Sequence, residues 1–335
     1  MTRTSRACGL LFLYSVLAGL LACGIASAQE INTDFAEGVR LFQERSYNAA
    51  ISKLETVVEE EPDNAAAWYY LGVARYEQEE FETALEALQT AYDLRPGRPG
   101  TQYYIGLIYG ELGAYQEAIR AYQTELRNRR FKNLAEVFTA LGRAYYYSGD
   151  YFKAIEALTE ALEHNENYVE AFFYRGLAKY MREEYKEALR DYDAAITIVD
   201  EWDRKRRQLE ATIEREAEAG GLNPEAQRAK QGLQEELAQD YSKAAEFAQQ
   251  KAMRPGLYLA KGDAAVEISE FGMARNVYRK ALDPDRGGNP ADPVPQVRIG
   301  QAYFQQAQET FYEDGLLWTA ISTVDAAIYT IEDAL

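Results

Sequence analysis

Side chains that could carry out catalysis are scarce in this sequence, which contains a single histidine, His164. One imidazole excludes a multi-histidine metal site, and a histidine-based triad would depend on this residue alone. Asp283 and Asp285 precede two glycines with the spacing of the first calcium-loop ligands, but the twelfth place is Val294 rather than a carboxylate. A glycine-rich phosphate loop would follow a strand, and the sequence has no strand pattern. We therefore expect no catalytic residue, no metal, no cofactor and no enzyme activity.

The residues that recur with regular spacing are those of short amphipathic helices. Positions i, i+3, i+4 and i+7 of one helix are Trp68, Leu71, Gly72 and Arg75. A second stripe follows at Phe81, Ala84, Leu85, Leu88 and Ala91. Two helices cross closely only where one of them lacks bulk. The small residues Gly72 and Ala84 therefore predict a helix pair in which Phe81 and Leu88 fill the space beside them.

Two ladders of small residues repeat this frame along the chain. Glycine recurs at distances of 34, 34, 36 and 34 residues, at Gly38, Gly72, Gly106, Gly142 and Gly176. Alanine follows in step at Ala50, Ala84, Ala118, Ala154 and Ala188. Five consecutive helix pairs are therefore predicted, each packed at the same two places.

The order Trp-x2-Leu-Gly from Trp68, followed by Ala84 and Pro96, resembles the tetratricopeptide repeat. Arg75 and Leu88 depart from that pattern, which has tyrosine and phenylalanine there. The resemblance implies an all-α fold, a right-handed α-solenoid of helix-turn-helix repeats. Its predicted packing residues are Trp68, Gly72, Ala84, Gly106, Ala118, Gly142, Ala154, Gly176 and Ala188.

The resemblance also implies a binding site, because the first helix of each tetratricopeptide repeat lines a concave face and contacts partners from fixed places. In repeats two to five these places hold Tyr69, Tyr70, Tyr76, Tyr103, Tyr104, Arg143, Tyr146, Tyr147, Phe173, Tyr174 and Tyr180. Aromatic residues at some of these places serve packing in the family, so roughly half of the set is expected to be core. The family's carboxylate clamp needs Lys, Asn and Arg, and only Arg143 fits it. The expected ligand is instead an extended or helical polypeptide in a tyrosine-lined groove.

The first 28 residues have the pattern of a secretory signal peptide. Arg3 and Arg6 precede an apolar run from Cys8 to Ala22, and Ala26-Ser27-Ala28 is a small-residue cleavage site. An alternative stays open, because the segment from Leu20 to Cys23 resembles the lipobox of bacterial lipoproteins, in which the cysteine is lipidated. We favour cleavage after Ala28 and a periplasmic protein, with an outer-membrane lipoprotein anchored at Cys23 as the alternative. No other apolar stretch approaches the ~20 residues of a membrane span.

The chain is strongly acidic. It has 36 basic and 54 acidic residues, a net charge of −18, and cleavage after Ala28 would leave 34 basic residues and a charge of −20. This excess argues against nucleic acid as a ligand. The acidic surface either keeps an exported protein soluble or steers a basic partner towards it. Both cysteines, Cys8 and Cys23, lie in the predicted signal, so no disulfide is expected after cleavage.

The predicted organisation has four parts: a signal peptide (1–28), five repeats (29–200), a long charged helix with a degenerate repeat (201–254), and one to two divergent repeats (255–335). No Gly or Pro occurs between Ala188 and Ala219, so the second helix of repeat five should continue to about Ala219. We expect it to separate the first five repeats from the C-terminal ones, and the part of this helix around Trp202 could cover the tyrosine-lined groove. All nine prolines are expected between helices or in a first turn.

Two runs of positive charge interrupt the acidic pattern. The turn from Arg127 to Lys132 follows repeat three, and we interpret its cations as partners of helix-end carbonyls. The run from Arg204 to Arg207 lies on the long helix and is interpreted as a solvated face.

Three functions are compatible with these patterns. The first is an exported scaffold that binds a protein or peptide of the cell envelope. The second applies if Cys23 is lipidated, and is a lipoprotein that assists assembly of outer-membrane proteins or pili. The third, supported by tyrosine stacking alone, is a saccharide-handling protein or an enzyme.

Overall fold

The computed structural model of the chain describes residues 33–218, 241–286 and 288–312, together with positions 323, 326, 327 and 330. Within these ranges every regular element is a helix, so the predicted all-α fold is confirmed. The predicted signal peptide, the lipobox and part of the degenerate repeat lie outside the described residues. The chain divides into two compact units, Met1–Asn133 and Leu134–Leu335, called here the N-terminal unit and the C-terminal unit. The boundaries placed at 200 and 254 remain predictions.

The described part of the N-terminal unit forms six helices. They are α1 (33–43), α2 (Tyr47–Glu60), α3 (Ala65–Tyr76), α4 (Phe81–Leu94), α5 (Thr101–Glu111) and α6 (Tyr115–Leu126). From α2 onward each helix packs against the next, and α3 also contacts α5. Asn64 caps α3 by accepting a hydrogen bond from the backbone N–H of Ala67, and the indole of Trp68 donates to the carbonyl oxygen of Pro62 at 2.8 Å. These bonds fix the turn that precedes α3.

The C-terminal unit continues the pattern of helix pairs. Its helices are α7 (Leu134–Tyr147), α8 (Tyr151–His164), α9 (Val169–Met181), α10 (Tyr185–Glu218), α11 (Tyr241–Glu267), α12 (Phe271–Ala281) and α13 (Pro293–Tyr312), with a 3-10 turn at Pro284–Arg286. Consecutive helices pack together, and α9 also contacts α7 and α11.

Each helix pair is closed by a glycine against a large side chain sixteen residues later. A Cβ atom on Gly72 would lie 2.6 Å from Cγ of Leu88, and one on Gly106 would lie 2.5 Å from the ring of Tyr122. The same relation holds for Gly38 with Leu54, Gly142 with Leu158, Gly176 with Tyr192 and Gly262 with Tyr278. Any side chain larger than hydrogen at the glycine would therefore displace the packed leucine or tyrosine.

The long helix predicted after Ala188 is observed as α10, which is continuous to Glu218. The expectation that it separates the first repeats from the C-terminal ones is wrong. Val169 of α9, Tyr192 and Val199 of α10, and Leu257 of α11 belong to one buried hydrophobic cluster. The apolar stripe of α10 runs past repeat five, and α11 buries it, so the core extends through the C-terminal repeats instead of ending at α10.

Pro255 contradicts the expectation that every proline lies between helices or in a first turn. It lies inside α11, so the repeat predicted to start at Pro255 has no separate first helix. A proline in a helix interior costs about 3 kcal/mol because it removes one backbone hydrogen bond. Arg254, Leu257 and Tyr258 are all buried beside it. Tertiary packing of these neighbours offsets the cost and keeps the helix continuous.

A buried ion pair joins α10 to α11. Arg254 is 1% exposed, and its Nη1 donates to Oδ2 of Asp203 at 2.6 Å; Nη2 lies 3.1 Å from Oδ1 of Asp200. Asp203 faces inward, while Arg204 and Arg207 are exposed. The charged helix thus has a solvated face and also a buried acidic position.

Candidate partner-binding site

The predicted groove residues lie on the first helices of four repeats. Helices α3 and α5 carry Tyr69, Tyr70, Tyr76, Tyr103 and Tyr104, called here the N-terminal tyrosine cluster. Helices α7 and α9 carry Arg143, Tyr146, Tyr147, Phe173, Tyr174 and Tyr180. All are partly buried except Tyr147, which is 50% exposed. Because they belong to different units, the two groups are described separately.

The N-terminal tyrosine cluster is a connected set of edge-to-face rings. The ring of Tyr104 lies 6.2 Å from that of Tyr69, 5.7 Å from Tyr76 and 5.5 Å from Tyr103, measured between centroids. Tyr70 joins through Tyr69 at 5.5 Å. Such pairs contribute roughly 0.5–1.5 kcal/mol each beyond their buried area, so the rings are held in place before any partner arrives.

Phe42 of α1 extends this cluster and was missed by the sequence analysis. Its ring lies 5.3 Å from that of Tyr70. A signal for it was present, because Phe42 stands four residues after Gly38, just as Tyr76 stands four residues after Gly72. The predicted groove residues belong to repeats two to five, and Phe42 belongs to repeat one.

An open cleft of about 460 Å³ lies beside this cluster. We call it the arginine cleft. It is lined by Phe42, Tyr69, Tyr70, Arg95, Gly97, Arg98, Pro99, Tyr104 and Arg130. The guanidinium carbon of Arg98 lies 4.2 Å from the centroid of the Tyr69 ring and 5.4 Å from that of Tyr70, within cation–π range. The basic turn after repeat three therefore contributes Arg130 to a cleft.

Glu125 of α6 positions the start of α5, and it was not among the residues predicted from the sequence. It is 1% exposed and accepts hydrogen bonds from the backbone N–H groups of Gly100 and Gln102 at 3.0 Å and of Tyr103 at 3.3 Å. A carboxylate at a helix N-terminus satisfies free N–H donors and complements the helix dipole. Its signal was a glutamate on the buried stripe of α6, where repeats two, four and five have alanine, as at Ala91.

Gly100 brings the loop before α5 against Tyr69. Its φ angle is +86°, and a Cβ there would lie 3.1 Å from the Tyr69 hydroxyl oxygen. Glycine is the residue that meets both requirements without strain. Burial raises the pKa of Tyr69 to about 12, with the charge of Arg98 acting in the opposite direction. The Tyr69 hydroxyl is therefore protonated, and able to donate a hydrogen bond, at neutral pH.

In the C-terminal unit, Tyr146, Tyr147 and Tyr174 form a second set of rings, called here the C-terminal tyrosine cluster. The Tyr174 ring lies 6.0 Å from Tyr146 and 6.1 Å from Tyr147, and the hydroxyl oxygens of Tyr147 and Tyr174 are 3.4 Å apart. Burial raises the pKa of Tyr174, and the neighbouring Tyr147 adds to the effect. The Tyr174 hydroxyl is also protonated at neutral pH.

Three predicted groove residues have partners within the C-terminal unit. Arg143 donates to Oε1 of Glu170 at 3.1 Å, and the Tyr180 hydroxyl donates to Oε1 of Glu267 at 3.3 Å. The Phe173 ring lies 6.5 Å from buried Tyr192. Arg143, Phe173 and Tyr180 therefore contribute to the structure of this unit. The hydroxyl of Tyr180 contacts α11. The side chain of Trp202, expected to lie in the part of the long helix that covers the groove, is 45% exposed.

The histidine and the aspartate considered above for catalysis or calcium binding each contact another side chain of the fold. His164 is the last residue of α8, and its ring stacks on Phe138 at a centroid distance of 5.6 Å. Asp283 lies 3.4 Å from Arg286 across the 3-10 turn. Among the residues with described positions, no group of three His, Cys, Asp or Glu side chains could hold a metal ion. The same residues include no helix that is both long and apolar enough to span a membrane.

The fold defines an all-α repeat solenoid, built from helix pairs that each bury a glycine against a leucine or tyrosine. The family model described as tetratricopeptide repeat matches residues 35–99 and 139–203. These two stretches of the chain are tetratricopeptide repeats.

Solved structures with similar folds have little sequence identity to this chain. The C-terminal part of a TPR repeat-containing protein from Cytophaga hutchinsonii is 16% identical, with a TM-score of 0.55 over 89% of this chain and 93% of that chain. MamA from Desulfovibrio magneticus RS-1 is 18% identical, with a TM-score of 0.46 over 49% of this chain and 91% of that chain. No curated protein sequence matches the chain.

Proposed function

We propose that the protein is a non-enzymatic scaffold that binds a polypeptide partner through its two tyrosine clusters. The observation that carries the proposal is the connected, edge-to-face packing of partly exposed tyrosines on the first helices of successive repeats. Tetratricopeptide repeats, matched at two stretches of the chain, support a role in protein interaction.

The physical case rests on the tyrosine side chain. Tyrosine supplies a large contact area at low rotamer cost, and its hydroxyl can hydrogen-bond a partner's backbone. Rings already held by their neighbours lose little further entropy on binding. Protonated hydroxyls at Tyr69 and Tyr174 can donate to backbone carbonyl groups, which suits a ligand recognised partly through its main chain.

The test is peptide selection followed by substitution of three tyrosines. A phage-displayed library of random dodecapeptides is selected against the purified chain, and binders are then measured on the triple variant Tyr70→Ala, Tyr104→Ala and Tyr174→Ala. We expect binding to be abolished while circular dichroism and cooperative melting are largely retained. The matched control is the triple variant Tyr92→Ala, Tyr109→Ala and Tyr145→Ala. These three tyrosines lie outside the two tyrosine clusters. If no binder depends on the cluster tyrosines, the proposal is wrong.

We further propose that this scaffold acts in the cell envelope, in the periplasm after cleavage following Ala28. The support is the basic, apolar and small-residue order of the first 28 residues. Mass spectrometry of the protein from a bacterial envelope fraction should find Gln29 at the N-terminus. A diacylated Cys23 would instead establish the lipoprotein alternative.

A further inference from the structure

The arginine cleft is a basic and aromatic site on an acidic protein. The chain has a net charge of −18, yet three of the nine lining residues are arginine and none is acidic. Arg95 follows α4, Arg98 lies in the loop before α5, and Arg130 lies after α6. Three segments that are separate in sequence thus bring their positive charges to one place.

Several other arginines of the same unit are paired with carboxylates. Arg75 lies 2.6 Å from Glu55, and Arg120 lies 2.5 Å from Glu117. Within the described residues, Arg95, Arg98 and Arg130 form no ion pair, and the buried Nε of Arg98 has no hydrogen-bond partner. Hydrogen bonds from a guanidinium to a carboxylate are roughly twice as strong as neutral ones, so these groups favour an anionic ligand.

The buried carboxylate of Glu125 is already engaged with backbone groups. Both oxygens of Glu125 accept hydrogen bonds from the backbone at the start of α5. Arg98 is itself held over the rings of Tyr69 and Tyr70, which orders its planar group without occupying all its donors. The cleft therefore presents ordered donors for a negative group beside aromatic surface for an apolar one.

We propose that the arginine cleft binds an acidic segment of the polypeptide partner. One or two Asp or Glu side chains of that segment pair with Arg95, Arg98 and Arg130, and an adjacent apolar side chain packs against Phe42 and Tyr70. This inference rests on the proposed scaffold function and specifies the chemistry of the segment that the N-terminal unit takes.

A short acidic segment fits the charge distribution better than a nucleic acid does. Salt screens exposed charges beyond about 8 Å at physiological ionic strength, so one or two carboxylates in the cleft experience mainly the nearby arginines. A polyphosphate chain would extend beyond the cleft and meet the acidic surface. Nucleic-acid affinity normally depends on many phosphate contacts, and this cleft offers three cations.

The test uses the selected dodecapeptides. The expected result is enrichment of Asp and Glu in the binders over the unselected library. A consensus binder is then synthesised with an analogue in which Asn and Gln replace Asp and Glu, and both are measured by fluorescence anisotropy. We expect the analogue to bind at least about tenfold more weakly, as the loss of hydrogen bonds to charged groups implies.

Substitution of arginines tests whether the preference for the acidic peptide arises in the arginine cleft. The double variant Arg95→Gln with Arg130→Gln alters two exposed side chains and should reduce the difference between the two peptides to about twofold or less. Arg129→Gln lies in the same turn but does not line the cleft, and should leave the difference unchanged. Equal melting temperatures will show that all three proteins are folded.

The possible outcomes separate the two proposals. Tyrosine-dependent binders without acidic enrichment would overturn the acidic segment and leave the scaffold function standing. An acidic preference that persists in the double variant would place the site elsewhere. A labelled oligothymidylate that binds as tightly as the acidic peptide, and loses that binding in the double variant, would replace the peptide with a nucleic acid. Absence of any tyrosine-dependent binder would overturn both proposals.

Discussion

At the scale of single residues, each repeat depends on one contact between a glycine and a large side chain sixteen positions later. The partner is leucine at Leu54, Leu88 and Leu158, and tyrosine at Tyr122 and Tyr192. Because the glycine has no side chain, either partner can enter the same space. The identity of the larger residue can therefore change from repeat to repeat while the helix crossing is retained.

Replacing Gly142 by leucine should destabilise the protein by about 2–4 kcal/mol, because a side chain there must displace Leu158. Glu163→Leu is the matched control, since it adds the same side chain at an exposed position of α8 and should change stability by less than about 0.5 kcal/mol. Thermal unfolding would measure both. Equal melting temperatures for the two variants would contradict the assigned packing.

Removal of Glu125 tests the helix start that supports Tyr103 and Tyr104. Glu125→Ala leaves buried N–H groups without an acceptor and should cost about 2–4 kcal/mol, whereas Glu125→Gln keeps one acceptor oxygen and should cost less. Glu160→Ala, at an exposed position of α8, is the control. Urea unfolding in which Glu125→Ala behaves like the control would show that this carboxylate contributes nothing to stability.

At the scale of elements, the junction of α10 and α11 combines hydrophobic burial with one buried ion pair. Val199 and Leu257 belong to the same buried cluster, and Asp203 and Arg254 pair beside them. A buried pair gives little net stability over a well-packed apolar pair, but removal of one partner leaves the other charge buried.

A double-mutant cycle at Asp203 and Arg254 therefore has a definite expected pattern. Arg254→Met should cost about 3–5 kcal/mol, because Asp203 would remain buried without its main partner. Adding Asp203→Leu should recover most of that loss. Chemical denaturation of the three variants measures the coupling, and a double variant as unstable as Arg254→Met would disprove it.

At the scale of the whole molecule, buried tyrosines link stability to alkaline pH. Burial raises the pKa of Tyr69 to about 12, and also raises the pKa values of Tyr174, Tyr192 and Tyr278 above the ordinary value of 10.0. Between pH 10 and about 12 the folded protein holds protons that the unfolded chain releases. The stability due to the Tyr69 proton is complete below pH 10 and is lost as the pH rises through about 12, and that due to the other three is lost at still higher pH.

Alkaline titration monitored by tyrosinate absorbance and circular dichroism should therefore show two phases. Exposed tyrosines should ionise near pH 10 with helicity intact, and buried ones should ionise together with loss of helicity at higher pH. Ionisation of every tyrosine in a single phase near pH 10, with the helices unchanged, would contradict the burial described.

The repeat frame could be predicted from the sequence because its contacts are local and periodic. Glycine must recur wherever two helices cross closely, and helix geometry converts that requirement into a spacing of about 34 residues, as between Gly38 and Gly72. The places of the tyrosines followed from the same frame. Continuous helix after Ala188 followed from the lack of Gly and Pro.

Tertiary structure alone decided the contacts that follow no period. Glu125 binds backbone 22 to 25 residues earlier, and Arg254 pairs with a residue 51 positions away on another helix. Pro255 stays helical because its neighbours are buried, which overrides its local preference. The arginine cleft is assembled from Arg95, Arg98 and Arg130, which follow different helices. The path of the chain brings these side chains together, and no spacing along the sequence encodes that path.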